Sequence, residues 1–140
     1  FGRYAGIVGA YNAFLTFGLK TGLYTLKAAH LCADRKEVEA ELKRVILPDD
    51  FKAILTGFGR VGNGAREILA LLPIKEVSAA DYLSQNFNGP VYTHLDTHHY
   101  FARITDAGFD KAEFYANPSI YQSTFEFIDA NYGELIEKKI

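Results

Sequence analysis

Phe51-Lys-Ala-Ile-Leu-Thr56 runs directly into Gly57-Phe-Gly59-Arg-Val-Gly62-Asn-Gly-Ala65, and the reading of this stretch decides the fold. The first six residues form a short apolar run of strand type. Three glycines then follow in the Gly-x-Gly-x-x-Gly spacing. Arg66 to Leu72 comes next, with Ile68, Leu69, Leu71 and Leu72 as an apolar helix face stopped by Pro73. Ile74 to Ala80 reads as a second strand ending at Asp81. Strand, glycine turn, helix and strand within about thirty residues is the context that gives a glycine triplet meaning.

Each glycine has a distinct expected duty in such a turn. Gly57 permits the tight turn off the strand. Gly59 lets the main chain approach a pyrophosphate with no side chain in the way. Gly62 lets the helix pack close to the sheet. The helix N-terminus then offers free N–H groups and the positive end of its dipole to an anion. The alternative is an ordinary glycine-rich turn with no ligand. Arg60 sits inside the turn, where a guanidinium reaches phosphate oxygens or simply covers the helix start in solvent. Arg66, one turn later, reads as a surface residue.

Asp81 lies 24 residues after Gly57, slightly past the usual spacing of about 20 for the acid that binds the ribose hydroxyls. A carboxylate there accepts from the 2′- and 3′-hydroxyls and repels a 2′-phosphate, which favours NAD over NADP. The competing role for Asp81 is to cap the next turn.

Outward on the N-terminal side, Tyr4, Ile7 or Val8, Tyr11, Leu15 and Leu19 recur every three to four residues. That pattern predicts a helix from Phe1 to about Lys20. Gly2, Gly6 and Gly9 lie on a neighbouring strip that admits another backbone. Apolar character nearly all round suggests burial between two layers or two domains. The uncharged part is about 16 residues long, short of the roughly 20 a membrane span needs. After a break at Thr21-Gly22, Leu23, Leu26 and Leu31 resume a weaker pattern. Asp34 with Glu37 has the form of a capping box. The helix it opens turns Val38, Leu42 and Val45 inward and ends at Pro48-Asp49-Asp50.

Beyond Asp81 the chain is less regular. Val91-Tyr92-Thr93 reads as a short strand, and His94 to Tyr100 as a polar loop. Asp110 to Tyr115 has room for one or two helical turns. Asn117-Pro118 looks like an N-cap with Pro at the first helical position. Ile120, Tyr121, Thr124, Phe125 and Ile128 then mark a helix face, with a restart at Glu134 to Ile140. No third apolar strand is evident. His94, Asp96, His98 and His99 are ligand-type residues, yet their spacing matches no known metal site, and a polar loop near the cleft is the preferred reading.

Composition narrows the function. The chain has 140 residues, 49% of them hydrophobic and 23% charged, which suits one folded domain. A net charge of −2 and a pI near 6.1 argue against a nucleic-acid partner. One cysteine, Cys32, excludes an internal disulfide and favours a reducing, cytoplasmic setting. No Gly-x-Ser-x-Gly elbow supports a hydrolase. A chain without methionine that starts at Phe1 is expected to be a processed piece or a fragment.

Residues 1–12 (Phe-Gly-Arg-Tyr-Ala-Gly-Ile-Val-Gly-Ala-Tyr-Asn) together with Gly57-Phe-Gly-Arg-Val-Gly-Asn-Gly-Ala65 resemble the lysine-forming saccharopine dehydrogenases. These group with alanine dehydrogenase and the pyridine nucleotide transhydrogenase nucleotide-binding domain. The Gly-Arg-x-Gly-x-Gly-Ala ending is closer to saccharopine dehydrogenase, and the likeness covers residues 1–81. The lysine-forming enzymes often carry Cys where this chain has Val61.

The resemblance implies an α/β, Rossmann-like NAD-binding domain over 1–140. Leading helices occupy 1–50, the strand–glycine loop–helix–strand core 51–81, and an irregular loop with a C-terminal helix 82–140. It implies one half of a two-domain, NAD-dependent amino-acid dehydrogenase. Gly57, Gly59, Arg60, Val61 and Gly62 would hold the pyrophosphate and Asp81 the adenosine ribose. The acid/base Lys and His of such enzymes lie in the other domain, so no catalytic residue falls in this chain and the fragment alone is expected to be inactive. The implied partner is a small amino-acid substrate brought by that other domain, with no membrane or metal and with homo-oligomerisation open. A nucleotide-sensing Rossmann module without turnover is the alternative.

Overall fold

The computed structural model describes residues 1–124 and 126–127. It is a mixed α/β fold whose centre is a three-stranded parallel sheet, compatible with a Rossmann-like architecture. Strands β1 (Lys52–Thr56), β2 (Lys75–Glu76) and β3 (Val91–Leu95) lie in the order β1-β3-β2. Lys52 pairs with Val91 and Thr56 with Leu95, while Lys75 also pairs with Val91 from the other side.

Two expectations are corrected here. The run Ile74 to Ala80 is not one strand. The strand is Lys75–Glu76, and Ala79–Ser84 is helix α4, started by Ser78, whose hydroxyl accepts the Asp81 N–H at 3.1 Å. The local cap outcompetes strand pairing in this segment. Second, the short strand read at Val91–Thr93 runs on to Leu95 and is the third strand of the sheet. It is β3, buried along its whole length and inserted between the other two. Its polar Thr93 and His94 are as buried as its apolar residues.

Helix α3 (Arg60–Leu69) follows the glycine turn and puts Ile68 and Leu69 into the core. Helix α1 (Gly2–Thr21) packs against it and ends at Gly22, which takes the left-handed φ of 72°. The helix buries Gly6, Ile7, Tyr11, Phe14 and Gly18, whereas Tyr4, Val8 and Leu19 are exposed. It therefore covers one layer rather than lying between two. The glycine strip explains its closeness to α3: a Cβ on Gly6 would overlap Val61 O, and one on Gly64 would overlap Arg3 O. Gly9 has open space around it and faces an apolar groove of about 410 Å³ between α1 and β1. Among the described residues no strand pairs with the outer edge of β1.

After Gly22 the chain is extended, with one 3-10 turn at Ala29–Leu31, so the weak leucine pattern there is not helical. Helix α2 (Arg35–Leu42) starts at Asp34, whose carboxylate accepts the Glu37 N–H at 3.0 Å. Leu42 and Val45 are buried as expected, and Val38 packs at the margin of the core.

Beyond β3, a 3-10 turn at Thr97–His99 leads to β4 (Phe101–Arg103). Helix α5 (Lys111–Ala116), a 3-10 turn at Pro118–Ile120 and β5 (Tyr121–Ser123) follow. The last two replace the helix expected from Ile120 onward: Tyr121 pairs with Arg103 in an antiparallel ladder. The remaining C-terminal helix positions, Phe125 and Ile128 to Ile140, lie outside the described residues. Among the described residues no helix is long and apolar enough to cross a membrane.

Candidate dinucleotide site

The site is built from the turn between β1 and α3. Gly57 has φ of 90°, a conformation an L side chain resists, so the sharp exit from the strand requires glycine there. Gly59 has nothing within 4 Å of where a Cβ would stand, and it is exposed. Gly62 is buried, and a Cβ there would overlap the Gly57 carbonyl oxygen. The three glycines thus perform tight turn, open approach and close helix–strand contact, as their spacing predicts.

Gly59 is the N-cap of α3 and supplies no side-chain acceptor. The first bond of the helix runs from Asn63 N to Gly59 O at 3.0 Å. Among the described residues the N–H groups of Phe58, Arg60, Val61 and Gly62 find no acceptor, as is expected at an uncapped helix start. The Asn63 side chain donates to Phe58 O at 3.0 Å and braces the turn from within. Arg60 and Val61 are exposed at the rim, and among the described residues Arg60 makes no ion pair. A depression of about 390 Å³ adjoins the turn, lined by Arg3, Phe58, Gly59, Arg60 and Asn63 among others. The first turns of α1 and α3 stand side by side there, with Gly2 against Arg60.

Arg66 is engaged elsewhere. Its guanidinium binds Glu76 at 2.8 Å, and Tyr92 OH donates to the same carboxylate oxygen at 2.9 Å. Burial opposes ionisation of Glu76, yet the bonds from Arg66 and Tyr92 hold its carboxyl below the ordinary range. The salt bridge ties α3 to β2.

Asp81 is placed away from the turn. It lies in the first turn of α4, beyond β2, and β3 separates β2 from β1. Its carboxylate accepts from Gln85 Nε2 at 3.0 Å. The acid at the C-terminal end of the strand that does neighbour β1 is Asp96, directly after Leu95. Leu95 O accepts the Gly57 N–H at 2.9 Å, so the end of β3 and the start of the turn are joined. The Asp96 carboxyl is held below its ordinary range by the Thr97 N–H at 2.7 Å, and Lys111 Nζ stands 3.7 Å from its other oxygen. Sequence spacing did not point to Asp96, because the segment between β1 and its neighbour includes all of β2 and α4. A signal was present: Val91-Tyr92-Thr93 is followed closely by an acid.

His94 stands apart from Asp96, His98 and His99. His94 Nε2 is 2.6 Å from Gly57 O, whereas His99 Nδ1 accepts the Asp96 N–H at 3.0 Å and its ring lies tilted against that of His98. Among the described residues no three ligand-type side chains converge. No protein-family model matches the chain.

Proposed function

We propose that the chain binds NAD and serves as the cofactor domain of an amino-acid dehydrogenase. The observation that carries the dinucleotide half is the geometry of the turn. Gly57 takes the left-handed φ, Gly59 leaves an open approach and Gly62 a close helix–strand contact, and among the described residues the first N–H groups of α3 have no acceptor. The diphosphate would rest on those amides, with Arg60 and Val61 at its rim. Asp96 rather than Asp81 would accept the adenosine ribose hydroxyls, because it ends the strand adjacent to β1. The amino-acid half rests on the sequence resemblance to saccharopine dehydrogenases.

NAD supplies the hydride chemistry when bound. This chain contributes orientation: its amides fix the diphosphate, and its acid selects the free ribose. The general acid and base are expected from another domain.

Calorimetric titration with NAD and NADP tests the reading on the wild type, Asp96→Ala and Asp81→Ala. Wild type should bind NAD in preference to NADP. The Asp96→Ala variant should lose about tenfold in NAD affinity, the worth of a charged hydrogen-bond pair, while Asp81→Ala stays unchanged. A wild-type chain that binds neither dinucleotide overturns the function. Loss in Asp81→Ala alone restores the other acid. Binding with no NAD reduction in the presence of amino acids and the flanking domain would favour the sensing module.

A further inference from the structure

The Gly57 carbonyl oxygen is held from two sides. Gly62 closes on it from α3, and His94 Nε2 meets it at 2.6 Å from β3. His94 is 93% buried in the central strand, and its ring stacks flat on Phe58, with centroids 3.7 Å apart and planes 9° apart. A carbonyl can only accept, so Nε2 carries the proton and Nδ1 is the acceptor nitrogen. Nδ1 is buried and, among the described residues, without a hydrogen-bond partner. A buried unpaired acceptor is costly, and an apolar ring of similar size would fill the space without that cost. Packing alone therefore does not account for an imidazole at this position. Its Nε2–H does.

The peptide between Gly57 and Phe58 is trans and planar, so its C=O and its N–H point in opposite directions. Fixing the carbonyl toward His94 on β3 turns the Phe58 N–H the other way, away from that strand. That N–H finds no acceptor among the described residues. We propose that His94 is a positioning residue for the diphosphate: through Gly57 O it aims the Phe58 amide at the ligand, and through the ring stack it holds Phe58 as a wall of the site. This rests on the dinucleotide reading given above and assigns a role to a residue on the strand beside the turn. His94 acts through the backbone and is not itself a ligand contact.

The test compares His94→Phe, which keeps a ring to stack and removes the donor, with His94→Gln, which keeps an N–H. Both are made in the full chain and titrated with NAD, with thermal unfolding followed in the absence of NAD. His94→Phe should unfold at or above the wild-type midpoint and bind NAD about tenfold more weakly, the factor one net hydrogen bond represents. His94→Gln should recover most of that loss. In wild type, the Phe58 amide resonance should be among those that move most on NAD saturation, a readout that does not depend on any variant folding.

Equal affinity in wild type and His94→Phe overturns the proposal while leaving NAD binding intact. So does a Phe58 amide unmoved by saturating NAD. A wild type that fails to bind NAD overturns the functional reading itself, which is a different result.

Discussion

The turn from β1 into α3 and the turn from β2 into α4 both hand a parallel strand to a helix, yet they treat the first amides of that helix differently. At α4, Ser78 turns its hydroxyl back to the Asp81 N–H. The carboxylates of Asp34 at α2 and Asp110 at α5 do the same for Glu37 and Glu113. At α3 the capping residue is Gly59, with no side chain to offer, and the amides stay open. A capped helix start has satisfied itself and has little affinity left for an anion. An uncapped one at the open end of a parallel sheet has its donors available for a ligand. Among the helices that directly follow a strand the contrast singles out α3, and an apolar groove of about 410 Å³ lies elsewhere, along α1.

The contrast breaks most sharply within the glycine turn itself. Gly62→Ala should destabilise the chain by about 3 kcal/mol, because its Cβ meets Gly57 backbone on one side and cannot be relieved by a rotamer change. Gly59→Asp should change stability by no more than about 0.5 kcal/mol, since the space there is open and φ is −80°. Its carboxylate would instead occupy the amides of α3 as an N-cap and repel a diphosphate, so NAD affinity should fall by at least about tenfold. Urea midpoints and NAD titrations on the two variants read both effects. A stable Gly62→Ala, or an undiminished affinity in Gly59→Asp, would remove the distinction between the glycine that packs and the glycine that presents.

A smaller effect sharpens the same contrast from the other turn. Ser78→Ala removes the hydroxyl acceptor for Asp81 N and should cost about 1 kcal/mol, the usual worth of a helix cap. NAD affinity should be unaffected, because α4 lies past β2 and is separated from β1 by β3. A drop in affinity would place the ribose end nearer α4 than the strand order allows.

The parts of this architecture that were legible in the sequence are those where local chemistry and tertiary demand agree. The glycine turn, the apolar strand before it, the Asp34 cap and the helix of α1 each have one dominant local solution, and each is found, although α1 buries Phe14 and Gly18 where Leu15 and Leu19 were expected. The errors cluster where tertiary context overrides composition. His94 hid the last two residues of β3 in an expected polar loop, because nothing local announces that a histidine will be buried against a backbone carbonyl. Ser78 split the expected second strand by starting a helix where Val77 and Ala79 alone read as extended. Strand order was not legible at all, and with it went the choice between Asp81 and Asp96. Spacing along the chain is a proxy for adjacency in the sheet only when consecutive strands pair, and here they do not.

The outlying β4–β5 pair offers the weakest but most selective contrast, since it is joined by charge where the glycine turn is not. Arg103 meets Asp106 and Glu113 at 2.8 Å each, and Tyr121 OH donates to Glu113 at 2.8 Å. The Tyr121 hydroxyl, followed by Arg103, holds the Glu113 carboxyl below its ordinary range. The Gly108 N–H, followed by Arg103, does so for Asp106. A carboxyl with a depressed folded-state pKa contributes stability above its unfolded value, about 4, and loses it as pH falls through the lower folded value. Urea midpoints measured from about pH 5 down to about pH 2 should therefore decline, and Glu113→Gln should flatten part of that decline while lowering the midpoint slightly at neutral pH. These groups are solvent-exposed, so the change is small, and high salt should shrink it further. Residues 57 to 62 contain no carboxylate, so the Phe58 amide resonance should stay in place over the upper part of the same range. Were it to shift together with β4 and β5 as Glu113 is neutralised, the two regions would be one cooperative unit, and the acid-sensitive sheet would have to be counted among the supports of the dinucleotide turn.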